Sequence, residues 1–271
     1  MNDLVVIIII GYKPSLTENE KSSLRQCYKI FHKYSIKIIS PEGMDVSEYK
    51  KVNPAIEFDY VDPTWTSNYD MSSLFKIDEL LYQRFINYKF LMYYELDAWV
   101  FSDQMEYWCN KEWDFIGAPW FEHLETGYSS KIVGVGNGGF CLRRNRSCVR
   151  LAKRVKFLKK LRKTWIRSYL QGIVSFEKVV NAFRKPLHIR NMEALTPMLL
   201  DQNIIEDFYW TKKIAVVFDD FKVATIEDAS RFSFEVNPSL LYKMNDQQLP
   251  FGCHGWEKYE PAFWKEFIHE S

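Results

Sequence analysis

The chain opens on seven consecutive apolar residues, Leu4 to Ile10, most of them β-branched and with no polar position between them. An unbroken run of this kind predicts a strand buried on both faces of a parallel sheet. A turn, Gly11-Tyr12-Lys13-Pro14, follows it. Thr17 and Glu20 then have the spacing of a capping box, and Leu24, Tyr28 and Phe31 share one helical face, which predicts a helix to about Tyr34. Further strands are expected over 35–40, 55–61 and 90–96. Between the last two, Leu74, Ile77, Leu81 and Phe85 mark one face of a helix. Strand and helix in alternation predict an α/β fold, a mostly parallel sheet covered by helices with a ligand crevice at the carboxyl ends of the strands.

From about Ala98 the pattern changes to short aromatic segments and glycine turns. No Pro/Gly/Ser-rich linker separates the halves, so 1–271 reads as one domain with a regular half, 1–100, and an α+β half, 101–271.

Composition narrows the class. The 271 residues carry one net positive charge, and 47% are hydrophobic, enough for a large core. Cys27, Cys109, Cys141, Cys148 and Cys253 are odd in number and scattered, with no C-x-x-C pair. That argues against a disulfide framework or a cysteine zinc site and for a reducing cytoplasm. Asp3 stands where a signal peptide needs basic charge, and the apolar run behind it is too short to cross a bilayer.

Charge is uneven. Residues 143–167 hold twelve Lys or Arg and no acid, leaving about eleven net negative charges on the remainder. Leu151, Val155, Leu158, Leu161 and Trp165 fall among them at helical spacing. Two readings stand: a solvated helix packed on the core, or a basic face that lies on anionic lipid or holds a pyrophosphate-linked lipid acceptor. Nucleic acid is the weaker expectation, because the charge sits on one helix and no nucleic-acid motif accompanies it.

Four stretches carry candidate chemistry. Glu95 and Asp97 end the buried strand FLMYY, where unpaired acids are costly; a divalent cation bound to a diphosphate would compensate them, and a turn cap or a lysine pair is the plainer explanation. Gly136-Asn137-Gly138-Gly139 precedes a strand and is either a hairpin turn or a turn shaped for close saccharide contact. It is neither a P-loop nor a dinucleotide fingerprint. Glu206-Asp207 is followed by three aromatics; one carboxylate could act as a general base, or both acids could simply favour a helix start. His254 lies between Cys253 and Gly255 and is either structural or a third metal ligand. His32, His123, His188 and His269 have less distinctive settings.

Together, the YKP turn, Y-E-L-D-A (94–98), IGAPW (116–120), GNGGF (136–140), E-D-x-x-W (206–210) and PFGCH (250–254) resemble a bacterial family of uncharacterised domains found with polysaccharide-synthesis genes, similar to GT-A glycosyltransferases. The resemblance spans Tyr12 to Trp256. It implies a Rossmann-like GT-A sheet whose first half binds a nucleotide sugar through Tyr12, Lys13, Glu95 and Asp97, and an acceptor half using Asn137, Gly138, Gly139, Trp120 and Trp210. It implies Mn²⁺ or Mg²⁺ held by Asp97, with His254 and Glu95 as further ligands or Glu95 acting through water or on the ribose. It implies Asp207 as the base of an inverting transfer, Glu206 as its neighbour in reserve, and a retaining reaction if no carboxylate reaches the acceptor. The acceptor would be a saccharide or lipid-linked saccharide, and the location cytoplasmic or peripheral at the inner membrane face. The rival readings are a non-catalytic saccharide-binding module of the same fold and a metal-dependent nucleotidyltransferase or phosphohydrolase.

Overall fold

The computed structural model describes residues 3–122, 129–168 and 172–269; His123 lies outside them. The apolar runs become the middle of the central sheet. Its strands are β1 (Val5–Ile10), β2 (Ser35–Pro41), β3 (Glu57–Val61), β4 (Phe90–Tyr94), β6 (Phe115–Ile116) and β9 (Phe140–Arg144). They are ordered β3-β2-β1-β4-β9-β6. Neighbours from β3 to β4 are parallel, and β9 enters antiparallel between β4 and β6. The α/β class with a mostly parallel sheet is therefore observed.

Both faces of the sheet are covered, as the unbroken apolar first strand requires. Val6, Ile8 and Ile10 face one core, and Val5, Ile7 and Ile9 the other. Burying each contributes roughly 1.5–3 kcal/mol. Helix α1 (Glu18–Ile30) packs Leu24 and Cys27 into the second core and starts in the expected capping box between Thr17 and Glu20. It stops at Ile30 rather than Tyr34, because Phe31, at φ −99° and ψ 19°, leaves the helical conformation while its N–H still closes the last turn on the Cys27 carbonyl at 2.9 Å. The helix expected through Leu74 to Phe85 is two, α3 (Tyr69–Ile77) and α4 (Glu79–Arg84). Asp78 breaks it: extended, it ends the first and accepts the Leu80 N–H at 2.8 Å to cap the second.

The basic stretch folds as α6 (Asn145–Ile166), with Leu151, Val155 and Leu158 buried in the first core and Leu161 and Trp165 packed against it. Among the described residues no helix is long and apolar enough to cross a membrane.

Helices α2 (Ser47–Val52) and α5 (Met105–Asn110) add Tyr49 and Met105 to the second core, and β7 (Pro119–Phe121) pairs antiparallel with β8 (Ile132–Val135). A small second sheet sits at the carboxyl edge of the first. It joins β5 (Ala98–Val100), β11 (Gly252–His254) and β10 (Ser233–Phe234), with β11 antiparallel to β5 and parallel to β10. Its register sets the site: His254 lies opposite Ala98, one residue past Asp97, and the Gly255 N–H donates to the Asp97 carbonyl at 3.0 Å.

Candidate active site

The chain leaves β4 at Glu95 and turns at once into β5, with the Ala98 N–H donating to the Glu95 carbonyl at 2.9 Å. The Glu95 N–H is itself held by the Gly139 carbonyl at 2.7 Å, so the acidic turn and the glycine turn are fastened together. Asn137 makes the glycine turn possible. Its φ of 68° is the left-handed conformation that asparagine tolerates better than most residues. Its Oδ1 accepts from the Gly139 N–H at 2.8 Å. Gly139 is required for a second reason: a Cβ there would strike the His254 ring.

Three side chains converge on this edge. His254 Nε2 lies 3.1 Å from Asp97 Oδ1 and 3.3 Å from Glu95 Oε2. One donor atom from each of Glu95, Asp97 and His254 falls within 4.8 Å of the others, the dimensions of a cation site. Behind the ring, Nδ1 stands 3.2 Å from Glu235 Oε1 and 3.1 Å from the Asn137 amide nitrogen. Lys76 Nζ, on α3, donates to Glu95 Oε1 at 2.6 Å. The acids are thus partly answered by a lysine, the plainer of the two explanations, yet they remain beside the imidazole at the mouth of a cleft.

The electrostatics are coupled. Burial pulls the His254 imidazole down, and Asp97, Glu235 and Glu95 outweigh it, so the ring stays protonated well above the ordinary imidazole range. Burial also penalises the Glu95 carboxylate, but Lys76 and His254 hold its pKa well below the usual carboxylate range. Three carboxylates thus face Lys76 and an imidazolium, one negative charge in excess. Replacing the imidazolium proton with a divalent cation balances the group. The donor set of two carboxylates and an imidazole suits Mn²⁺ or Mg²⁺. Glu235 would then hold the ring, with Nδ1–H donating to it and Nε2 left for the cation.

The cluster opens on a cleft of about 750 Å³. Tyr12, Ser67, Asn68, Ser72, Gly138, Gly139 and Asp207 line it with the cluster. Asp207 is half-buried, and burial raises its carboxyl pKa, opposed by the Phe208 N–H that donates to it at 2.7 Å and reinforced by the charge of Glu235.

The structure redistributes some expected roles. Tyr12 is exposed on the cleft, whereas Lys13 is paired with Glu20 at 2.7 Å and does not line it. Glu206 reaches the cleft but is buried and ion-paired with Arg143, itself fully buried, whereas Asp207 lines the same cleft half-buried. The two tryptophans expected to bind an acceptor are corrected. Trp210 has no exposed surface and packs edge-on against Tyr82 and face-on against Phe221; the wide π-helical turn Tyr209–Ile214 points it into the core. Trp120 is 5% exposed and stacked on Phe208, filling the space that glycine leaves at Gly136. Sequence reasoning missed Lys76 and Glu235. The one signal for Glu235 is an acid set between Phe234 and Val236, both buried.

Fold and site together define an α/β protein with a carboxylate–imidazole cluster at the carboxyl ends of its parallel strands. The chain belongs to the DUF5672 family, described as a protein of unknown function, whose model matches residues 55–254 and so takes in every cluster residue from Lys76 to His254. No curated protein matches the chain. Among solved structures it is similar to the galactosyltransferase LgtC in complex with donor and acceptor sugar analogues, at 10% identity, TM-score 0.47, covering 92% of this chain and 86% of that one. It is similar to the bifunctional glycosyltransferase WbbM at 10% identity, TM-score 0.48, covering 96% and 47%. GlyE of Streptococcus pneumoniae TIGR4, a glycosyltransferase, aligns at 10% identity with a TM-score of 0.44, covering 98% and 61%. These likenesses are weak and concern the path of the chain.

Proposed function

We propose that this chain is a metal-dependent glycosyltransferase of GT-A type, moving a sugar from a nucleotide-sugar donor to a saccharide or lipid-linked saccharide. One observation carries the reading: Glu95, Asp97 and His254, brought from two sheets, meet within 4.8 Å at the mouth of a cleft that also holds a separate half-buried carboxylate, Asp207. Three of the GT-A-like motifs of the sequence, Y-E-L-D-A, E-D-x-x-W and PFGCH, carry these four residues and favour glycosyl over phosphoryl transfer.

Asp97, His254 and Glu95 would hold Mn²⁺ or Mg²⁺, which supplies positive charge to the donor diphosphate as it leaves. Glu235 keeps the His254 ring aimed, and Lys76 keeps Glu95 ionised and in place. Tyr12 and the hydroxyl wall of Ser67 and Ser72 suit the nucleotide side of the cleft. Asp207 takes the proton from the attacking acceptor hydroxyl, which reaches the anomeric carbon opposite the leaving group and inverts configuration. The raised Asp207 pKa suits a base that must accept a proton near neutral pH. One domain over 1–271 performs both halves of the task.

A thermal-shift screen of nucleoside diphosphates and nucleotide sugars, with and without Mn²⁺, tests the reading. The expected result is stabilisation by one nucleotide class only when metal is present. Stabilisation by none, or equally without metal, removes the assignment.

A further inference from the structure

The basic segment of the chain does not line the cleft. From Arg143 to Arg190 the chain holds sixteen of its 36 Lys and Arg but one of its 35 Asp and Glu, Glu177. Some of these cations are internal. Arg154 and Arg150 grip Asp220, Arg144 pairs with Asp114 and Lys153 with Glu79. Lys156, Lys160, Lys163 and Arg167 are exposed along the last turns of α6, and among the described residues no carboxylate lies within ion-pair distance of them.

Large apolar side chains stand out among them. Phe157 is 45% exposed, Ile166 40%, Ile173 77% and Phe183 41%. Nine residues apart on α6, Phe157 and Ile166 stand on opposite flanks of this row of cations, and each flank has its own contact with the chain that follows. Phe157 and Phe183 meet edge to face at 6.4 Å, and the Trp165 indole N–H, next to Ile166, donates to the Val174 carbonyl, next to Ile173, at 2.9 Å. Lys178, Arg184 and Lys185 add further exposed cations to this segment.

We propose that the face made by the second half of α6 and residues 173–185 docks on the anionic surface of a lipid bilayer. Lysines and arginines satisfy lipid headgroup phosphates while phenylalanine and isoleucine enter the acyl boundary, a division of labour that needs both kinds of side chain on one face. Charge complementarity selects an anionic surface, and the apolar residues select lipid over nucleic acid. A phosphate backbone uses the cations, and bases stack on aromatic rings, but neither has a use for Ile166 and Ile173. The proposal is independent of what the cleft binds.

Co-sedimentation of the full chain with vesicles tests it, using phosphatidylcholine alone and phosphatidylcholine containing about a quarter phosphatidylglycerol, at about 0.1 M and about 0.5 M salt. Binding is expected only to the anionic vesicles, weakening at high salt. Lys156→Glu, Lys160→Glu and Lys163→Glu together should cut partitioning roughly a hundredfold. Phe157→Ser with Ile173→Ser, which leaves every charge in place, should cut it roughly tenfold or more. Circular dichroism confirms that each variant is folded. If the charge variant does not fold, lipid selectivity of the unaltered chain and the apolar pair decide. The proposal is overturned if the unaltered chain ignores phosphatidylglycerol, or if the apolar pair changes nothing and duplex DNA displaces the protein completely, which would make the face a polyanion site.

Discussion

Glu235 Oε1 stands 3.2 Å from His254 Nδ1, on the far side of the ring from Asp97 and Glu95. The register of the small sheet places it there. Ser233 and Phe234 pair with Gly252 and Cys253, so the next residue of one strand falls level with the next of the other. A carboxylate behind a ligating imidazole fixes the tautomer and raises the basicity of the nitrogen facing the cation.

Glu235→Gln should therefore weaken Mn²⁺ binding by roughly ten- to a hundredfold without removing it. Calorimetric titration of the metal alone measures this. An affinity equal to that of the unaltered protein would reduce Glu235 to a packing contact.

Asp97→Asn should have the larger effect. Asparagine keeps the shape but loses the charge that a hard cation and a diphosphate need between them. Metal-dependent binding of a nucleoside diphosphate should disappear while the melting temperature stays within a few degrees. Undiminished binding in calorimetry removes Asp97 from the metal site.

The Asp207 prediction carries a pH signature. Burial places its pKa above the usual range for an aspartate, so the carboxylate takes up its proton at a higher pH than a free one would. A base acts only when unprotonated, so transfer should fall as pH drops through this raised value, with the acid limb displaced upward. Asp207→Asn should keep donor binding and lose roughly 10²–10⁴ in kcat. Folding gives the opposite sign. A carboxylate whose folded pKa is raised destabilises the fold where it is ionised, and the penalty vanishes below its unfolded value. Asp207→Asn should accordingly raise the melting temperature at neutral pH and leave it unchanged in acid. Transfer near the unaltered rate would show that another group takes the proton.

Much of this was legible in sequence where the signal is local. The Val5–Ile10 strand, the Thr17–Glu20 capping box and the buried stripe of α6 depend on near neighbours, and all are present. Glu95, Asp97 and His254 were visible as candidates because acids at the end of a buried strand, and a histidine with glycines close on either side, are unusual in any context. Glu235 and Lys76 were not, because their importance comes from the pairing of β10 with β11 and from the placement of α3 against β4, neither of which leaves a periodic trace. Trp210 and Trp120 misled for the same reason. An aromatic beside a functional acid reads like a stacking platform, and only tertiary packing shows which way it points.

The ion pair between Arg143 and Glu206 gives the last prediction. Arg143 sits mid-sheet with no exposed surface, its guanidinium over the Tyr93 ring at 4.0 Å and donating to the Tyr82 hydroxyl at 3.0 Å. Glu206→Gln leaves that charge buried without its counter-ion and should cost about 3–5 kcal/mol in urea unfolding. Replacing both, Arg143→Met with Glu206→Leu, should recover most of the loss, because apolar side chains of similar size are often no worse than a buried pair. The double variant also separates the two neighbouring acids. If Glu206 only neutralises Arg143, the refolded double variant retains sugar transfer, with Asp207 still in place. If it folds and binds donor but has lost transfer to the same degree as Asp207→Asn, then Glu206 shares the chemistry and the assignment of the base to Asp207 alone is wrong.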